Sequence, residues 1–305
     1  MTSKPAQYIG RFAPSPSGPL HFGSLLAAVA SYAQAKTRNG QWLVRIEDID
    51  PPREQPGADK IILGALEAYG FAWDSKVSYQ GQFAERHEAL VHSLLESGKA
   101  YPCSCSRRDL ADVRRGPLGA IYPGTCRNGC RSNDVAIRLR TNDEPIEFTD
   151  RLQGPQCQRL ESESGDFIIQ RRDGLIAYHL AVVADDFEQG ITEVVRGVDL
   201  LDSTPRHIHL QNVLGFTTPE YLHIPVIENA DGQKLSKLTG AKGISIRDAE
   251  ATLVSALAAL KQRPPADLVR QNINEIWTWA LANWRPDALR HLKSIPADQF
   301  PMAEH

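Results

Sequence analysis

Cysteine is scarce in this chain of 305 residues: there are five, and four of them crowd between Cys103 and Cys130. A secreted disulfide framework is not expected from so few in so long a chain, and a reducing cytoplasm with a metal site fits better. Long apolar runs are missing too. The most apolar stretch, Leu25 to Ala30, is far shorter than the ~20 residues of a membrane span, and Met1 to Ala6 has no apolar segment behind it. Neither export nor membrane insertion is expected. The third shortage is positive charge. The formal total of −3 argues against a nucleic-acid partner if it is evenly spread, because phosphate binding depends on basic patches. It is not evenly spread: from Lys99 to Arg172 stand 13 basic residues, 12 of them arginine, against 10 acidic ones. That stretch reads either as an ordinary solvated surface or as an RNA-facing patch.

What is present is a globular chain, 42% hydrophobic and 23% charged, able to bury one large core or two modest ones. Gln7 to Phe12 reads as a buried strand, followed by a turn-rich Pro14 to Pro19 and then a helix through Lys36, with Leu25, Val29 and Tyr32 on one face. Trp42 to Ile46 predicts a second strand. Helical patterns follow from Gly57 to Tyr69 and from Phe83 to Ser97, an alternation that signals a parallel α/β sheet. Residues 7–100 are therefore expected to form the first half of a parallel α/β domain. Residues 101–172 break into short strands, clustered Cys, Gly and Pro, and much Arg, which predicts an inserted subdomain. The alternation resumes over 173–240, with a strand expected from Tyr221 to Ile227, and 241–305 read as a short helical tail.

Two loops carry chemistry. His21-Phe22-Gly23-Ser24 stands between the first strand and the first helix, where unpaired N–H groups and the positive end of the helix dipole hold polyphosphate. His21 adds a donor there, and Gly23 lets a nucleotide approach the backbone. Lys234-Leu235-Ser236-Lys237 follows the last predicted strand, and its lysines are mobile point charges suited to a phosphate whose charge moves during reaction. The third cluster is Cys103, Cys105, Cys126 and Cys130. Two close pairs about 20 residues apart have the layout of a structural zinc site, so spacing alone favours those four thiols.

The two loops, in this order, resemble the HIGH and KMSKS signatures of class I aminoacyl-tRNA synthetases. Within that class Arg11 to Gly18, Arg45-Ile46-Glu47-Asp48-Ile49-Asp50 and Val195-Arg196-Gly197-Val198-Asp199-Leu200 resemble the glutamyl branch. Only 67 residues follow Leu238, whereas a full glutamyl-tRNA synthetase continues into a large anticodon-binding domain, so that domain is expected to be absent. This plan, with Asp50-Pro51-Pro52-Arg53 and Asp202-Ser203-Thr204-Pro205, resembles the glutamyl-queuosine tRNA(Asp) synthetases.

The resemblance implies a Rossmann-like class I catalytic domain with a zinc-bearing insertion. Its implied partners are ATP, accompanied by Mg²⁺, L-glutamate and the anticodon stem-loop of tRNA(Asp), and a cytoplasmic monomer is expected. It implies that Glu47 pairs with the glutamate ammonium, that Arg11, Ser15, Tyr178 and Arg196 surround the carboxylates, and that Phe12, Ala13 and Pro14 line the same pocket. It assigns ATP to His21, Gly23, Ser24 and Lys237, and the catalytic work to His21, Gly23, Lys234 and Lys237. For the metal it implies Cys103, Cys105, Tyr122 and Cys126, with Tyr122 in the place that spacing gives to Cys130. Two other functions stay open on the sequence: a truncated synthetase that charges a tRNA 3′ end, and a non-catalytic relative that binds RNA or amino acid.

Overall fold

A computed structural model describes residues 7–229, 231–234 and 242–297. The chain begins with β1 (Ile9–Phe12), α1 (Phe22–Lys36), β2 (Gln41–Ile46), α2 (Ala58–Ala68), β3 (Ser78–Tyr79) and α3 (Ala84–Glu96). The three strands are parallel, in the order β1-β2-β3. Next come β4 (Ala100–Cys103), β5 (Arg115–Gly116), β6 (Gly119–Ala120), β7 (Ala136–Leu139), β8 (Pro145–Asp150), β9 (Gly154–Arg159), α4 (Leu160–Glu163) and β10 (Phe167–Gln170). Here pairing is antiparallel, with a β10-β7-β4 sheet and a β8–β9 hairpin. The chain then returns through α5 (Tyr178–Glu188), β11 (Glu193–Gly197), α6 (Thr204–Leu214), β12 (Glu220–Ile224) and β13 (Val226–Glu228), and ends its described course in α7 (Ala249–Ala259), α8 (Ile273–Asn283) and β14 (Ser294–Pro296).

Strand β11 runs parallel to β12 and lies beside β1, to which it is tied by Thr192 N donating to Ile9 O at 2.9 Å. The two halves of the α/β sheet therefore meet along β1. Helix α1 packs over that junction, and four of its five alanines, Ala28, Ala30, Ala33 and Ala35, are fully buried. Alanine is the strongest helix former and keeps a helix slim, so sheet and helices can both approach α1 closely. Among the described residues no helix is long and apolar enough to cross a membrane.

Two elements differ from the sequence reading. The strand expected from Tyr221 to Ile227 is split at Pro225, which has no N–H to give to a ladder, into β12 beside β11 and β13 beside β14. The C-terminal helices are not a separate tail. Leu253, Leu257, Ile276 and Trp277 belong to the main core, where the Trp277 ring meets Tyr32 at 4.6 Å and Phe71 at 5.1 Å, and Trp277 Nε1 donates to Tyr69 O at 2.8 Å. Their apolar spacing was legible, but not the surface they cover.

Candidate active site

The carboxyl ends of β1, β2, β11 and β12 open into one cleft of about 700 Å³. This is where open parallel sheets bind ligands. Around it the structure gathers the residues singled out for amino acid and nucleotide: Arg11 to Ser15, Glu47, Tyr178 and Arg196, together with His21, Gly23, Ser24 and Lys234. Lys237 lies outside the described residues.

The charges in the cleft are paired unequally. Arg11 donates through Nε and Nη2 to Asp186, at 3.0 and 3.2 Å, and Arg45 Nη2 reaches the same carboxylate at 2.8 Å. Burial opposes ionisation of Asp186, but Arg11 and Arg45 outweigh it and hold its pKa below the usual range. Glu47 has a looser partner, Arg45 Nη2 at 3.4 Å, and burial raises its pKa in spite of that contact. Arg196 is buried and, among the described residues, has no carboxylate within ion-pair distance. Two arginines thus face two carboxylates, while Arg196 has none among the described residues.

Neutral groups hold Arg196 in place. Its Nε donates to His223 Nε2 at 3.0 Å, Nη1 to His207 Nδ1 at 3.1 Å and Nη2 to Thr204 Oγ1 at 2.8 Å. A guanidinium only donates, so both imidazole nitrogens facing it must be unprotonated. The protons are then fixed on the far side: His223 Nδ1 donates to Asp150 Oδ2 at 2.7 Å, and His207 Nε2 to His179 Nδ1 at 3.0 Å. Burial lowers His223 to about 4 against the pull of Asp150, lowers His179 to about 3 with help from Arg206, and lowers His207 well below the ordinary histidine value. All three are neutral at physiological pH.

Helix α1 opens on His21 as its N-cap, with Nδ1 accepting from Ser24 N at 3.2 Å and Nε2 lying 3.1 Å from Ser24 Oγ. The first contact places the imidazole proton on Nε2. Ile244 N donates to Leu20 O at 2.8 Å, so the chain that leaves the lysine loop is clipped back onto the His21 turn. Lys234 is drawn to the cleft by Asp199 Oδ2 at 2.5 Å.

The metal cluster is compact. Among the described residues, the sulfurs of Cys103, Cys105 and Cys126 all lie within 4.8 Å of one another. Tyr122 Oη is 3.3 Å from Cys103 Sγ and 3.7 Å from Cys105 Sγ, and Cys105 Sγ is 3.6 Å from Cys126 Sγ. Tetrahedral zinc with bonds of ~2.3 Å to sulfur needs ligand separations of ~3.8 Å, so this donor set fits. Cys130 packs against this cluster but is not one of the three close sulfurs, and its Sγ donates to Ser132 O at 3.3 Å. Burial opposes the Cys126 thiolate, yet hydrogen bonds led by that of Tyr122 bring the thiol down to about 7. Arg138 Nε donates to Cys103 Sγ at 3.2 Å.

A second cleft of about 510 Å³ joins the first, sharing Ser15, Ser17, Glu47, Arg53 and Tyr178 with it. Its outer wall comes from the Arg-rich stretch, through Arg138, Phe167 and Arg171, and from Arg206 of α6. Sequence reasoning missed Arg45, Asp186, Asp199, His207 and His223. Arg45 and Asp199 lay inside quoted motifs, and the acidic Asp185-Asp186 closing an apolar run was a further signal.

Comparison with known proteins agrees with this geometry. The model of the family "tRNA synthetases class I (E and Q), catalytic domain" matches residues 9–258. The chain is 50% identical over 296 residues to a glutamyl-Q tRNA(Asp) synthetase of Pseudomonas paraeruginosa, covering 97% of this chain and 99% of the relative. To that of Chromobacterium violaceum it is 51% identical over 303 residues, covering 98% and 99%. A glutamate tRNA ligase from Elizabethkingia meningosepticum, solved in complex with its amino acid, has the same fold, with TM-score 0.78, 23% identity, and 96% of this chain matched to 68% of that one. On this evidence the chain belongs to the class I tRNA synthetases of the E and Q group, among the glutamyl-Q tRNA(Asp) synthetases, and is a ligase.

Proposed function

We propose that this ligase activates L-glutamate with ATP to glutamyl-adenylate and transfers the glutamyl group to queuosine in the anticodon of tRNA(Asp). The observation that carries the first half is the charge pattern of the first cleft. Glutamate brings one ammonium and two carboxylates, and the cleft offers loosely paired Glu47 and unpaired Arg196, with the hydroxyls of Ser15 and Tyr178 in its lining. An oxygen of the α-carboxylate attacks the α-phosphorus of ATP, and the bond to pyrophosphate breaks. His21 Nε2–H donates to phosphate as charge builds there, Ser24 and the α1 N-terminus add N–H and hydroxyl donors, and Lys234 with Lys237 follows the departing pyrophosphate. Replacement of His21 by alanine is expected to slow glutamate-dependent ATP–pyrophosphate exchange by ~10²-fold; an unchanged rate would remove its assigned role.

The relatives' name supports the second half. Transfer needs only a positioned hydroxyl, because AMP is already a good leaving group. The second cleft gives an RNA nucleoside a route to the adenylate through the shared Glu47 and Tyr178. The test is to incubate the protein with labelled glutamate, ATP and total tRNA and to locate the label on the RNA.

Zinc, held by Cys103, Cys105, Cys126 and Tyr122, would be structural and would fix the stretch that walls the second cleft. Purified protein prepared without chelator is expected to contain about one equivalent of zinc. Cys103→Ser should lose the metal, whereas Cys130→Ser should keep it; metal lost in Cys130→Ser would restore the ligand set favoured by spacing.

A further inference from the structure

We infer that Arg206 is a phosphate-binding residue, receiving a phosphodiester of the acceptor RNA in the second cleft while the reactive nucleoside faces the adenylate. This inference rests on the proposed transfer to RNA. Arg206 stands in the first turn of α6, half-buried, and its guanidinium is poorly satisfied. Its hydrogen bonds go to a single residue at long range, from Nε to Ser164 Oγ at 3.4 Å and from Nη2 to Ser164 O at 3.5 Å. Its flat face lies over Phe167, 5.5 Å from the ring centre. Among the described residues it has no carboxylate partner.

Other arginines around this cleft are treated differently. Arg53 is paired with Asp50, and Arg171 with Asp50 at 2.9 Å and Asp173 at 2.6 Å. Arg138, which donates to Cys103 Sγ and Asp166 O, is a like charge that repels Arg206. Burial and the repulsion from Arg138 lower the Arg206 pKa to about 10, which still leaves it charged. A half-buried cation without a counter-charge is costly unless an anion arrives. The cleft its remaining donors face is lined by Phe167, Tyr178 and His179, the mixture of flat rings and cationic donors that suits a splayed nucleotide.

Glutamate is not that anion, because Arg206 is outside the lining of the first cleft and Arg196 serves there. A phosphate belonging to a free nucleotide or to RNA would satisfy the same donors, and the experiment separates the two. The association constant of the full-length protein for tRNA(Asp) is measured against KCl concentration for the parent chain, Arg206→Gln and Arg206→Lys. One lost phosphate contact lowers the slope of log K on log salt by about 0.7–0.9, and the slope does not depend on the fraction of protein that is folded. Arg206→Gln is expected to lose that much, and Arg206→Lys to keep it. A slope unchanged in Arg206→Gln overturns the inference, as does an unchanged slope with a raised KM for ATP, which would assign the site to a nucleotide. If the parent chain binds no tRNA, this inference and the proposed transfer both fall. If the slope drops but the label is found at the 3′ end of the RNA, the queuosine reading falls and the phosphate contact stands.

Discussion

tRNA(Asp) that carries queuosine is expected to take up labelled glutamate, and the same tRNA made without the modified base is expected to take up none. The contrast is all-or-none because the modification itself supplies the nucleophile. Its cyclopentene ring bears a cis-diol, and one of those oxygens attacks the carbonyl carbon of the adenylate as the bond to AMP breaks and the hydroxyl proton leaves. An unmodified guanosine can be positioned equally well and still has no such hydroxyl on its base. Mild periodate oxidation cleaves the diol, so a tRNA whose 3′ end is blocked beforehand should lose acceptance on that treatment. If unmodified tRNA(Glu) accepts glutamate at its 3′ end instead, the truncated-synthetase reading replaces this one.

Arg196→Ala is expected to lower kcat/KM for glutamate in pyrophosphate exchange by ~10²–10³-fold, since truncating one partner of a buried charge pair costs ~2–5 kcal/mol. If Arg196 clamps a carboxylate that takes no part in the reaction, most of the loss should fall on KM. Lysine should rescue it poorly. Three donors of the planar guanidinium are matched to His223, His207 and Thr204, and a lysine ammonium does not reproduce that fork. Exchange within a few-fold of the parent in Arg196→Ala would leave the carboxylate without its assigned partner.

Local structure was legible where one segment carries its own signal. The strand read from Trp42 to Ile46 appears as Gln41–Ile46, and the helix read from Gly57 to Tyr69 as Ala58–Ala68, because periodicity and turn residues act within a few positions. Arg11, Glu47 and Arg196 could be named from motifs, but their pairing could not. The partner of Arg11 is Asp186, 175 positions away, and no local pattern distinguishes an arginine already neutralised from one left for a ligand. That difference separates Arg11 from Arg196, and it arises only when α5 packs against the sheet. The fourth donor of the metal cluster shows the same limit. Spacing points to Cys130 and the family pattern, which we favour, to Tyr122; the two differ by the path of a short loop, where Cys126 N donates to Tyr122 Oη at 2.8 Å. His207 and His223 gave no sign at all, since a histidine on a helix or strand reads alike whether it faces water or an arginine.

The meeting of β1 with β11 has a consequence for how the molecule is made. Ile9 and Thr192, which bond to each other across that junction, are 183 residues apart. At ~5–20 residues per second a ribosome needs on the order of 10–40 s to supply the second strand after the first. During that interval β1 can pair with β2, but its other edge has no neighbour, and the entire cysteine-bearing stretch is synthesised before one arrives. A nascent chain therefore carries an open strand edge, the kind that recruits foreign strands, until residues 193–197 emerge. The cleft is consequently a late product of folding, and a chain interrupted before β11 lacks both that strand and the Arg196 it carries.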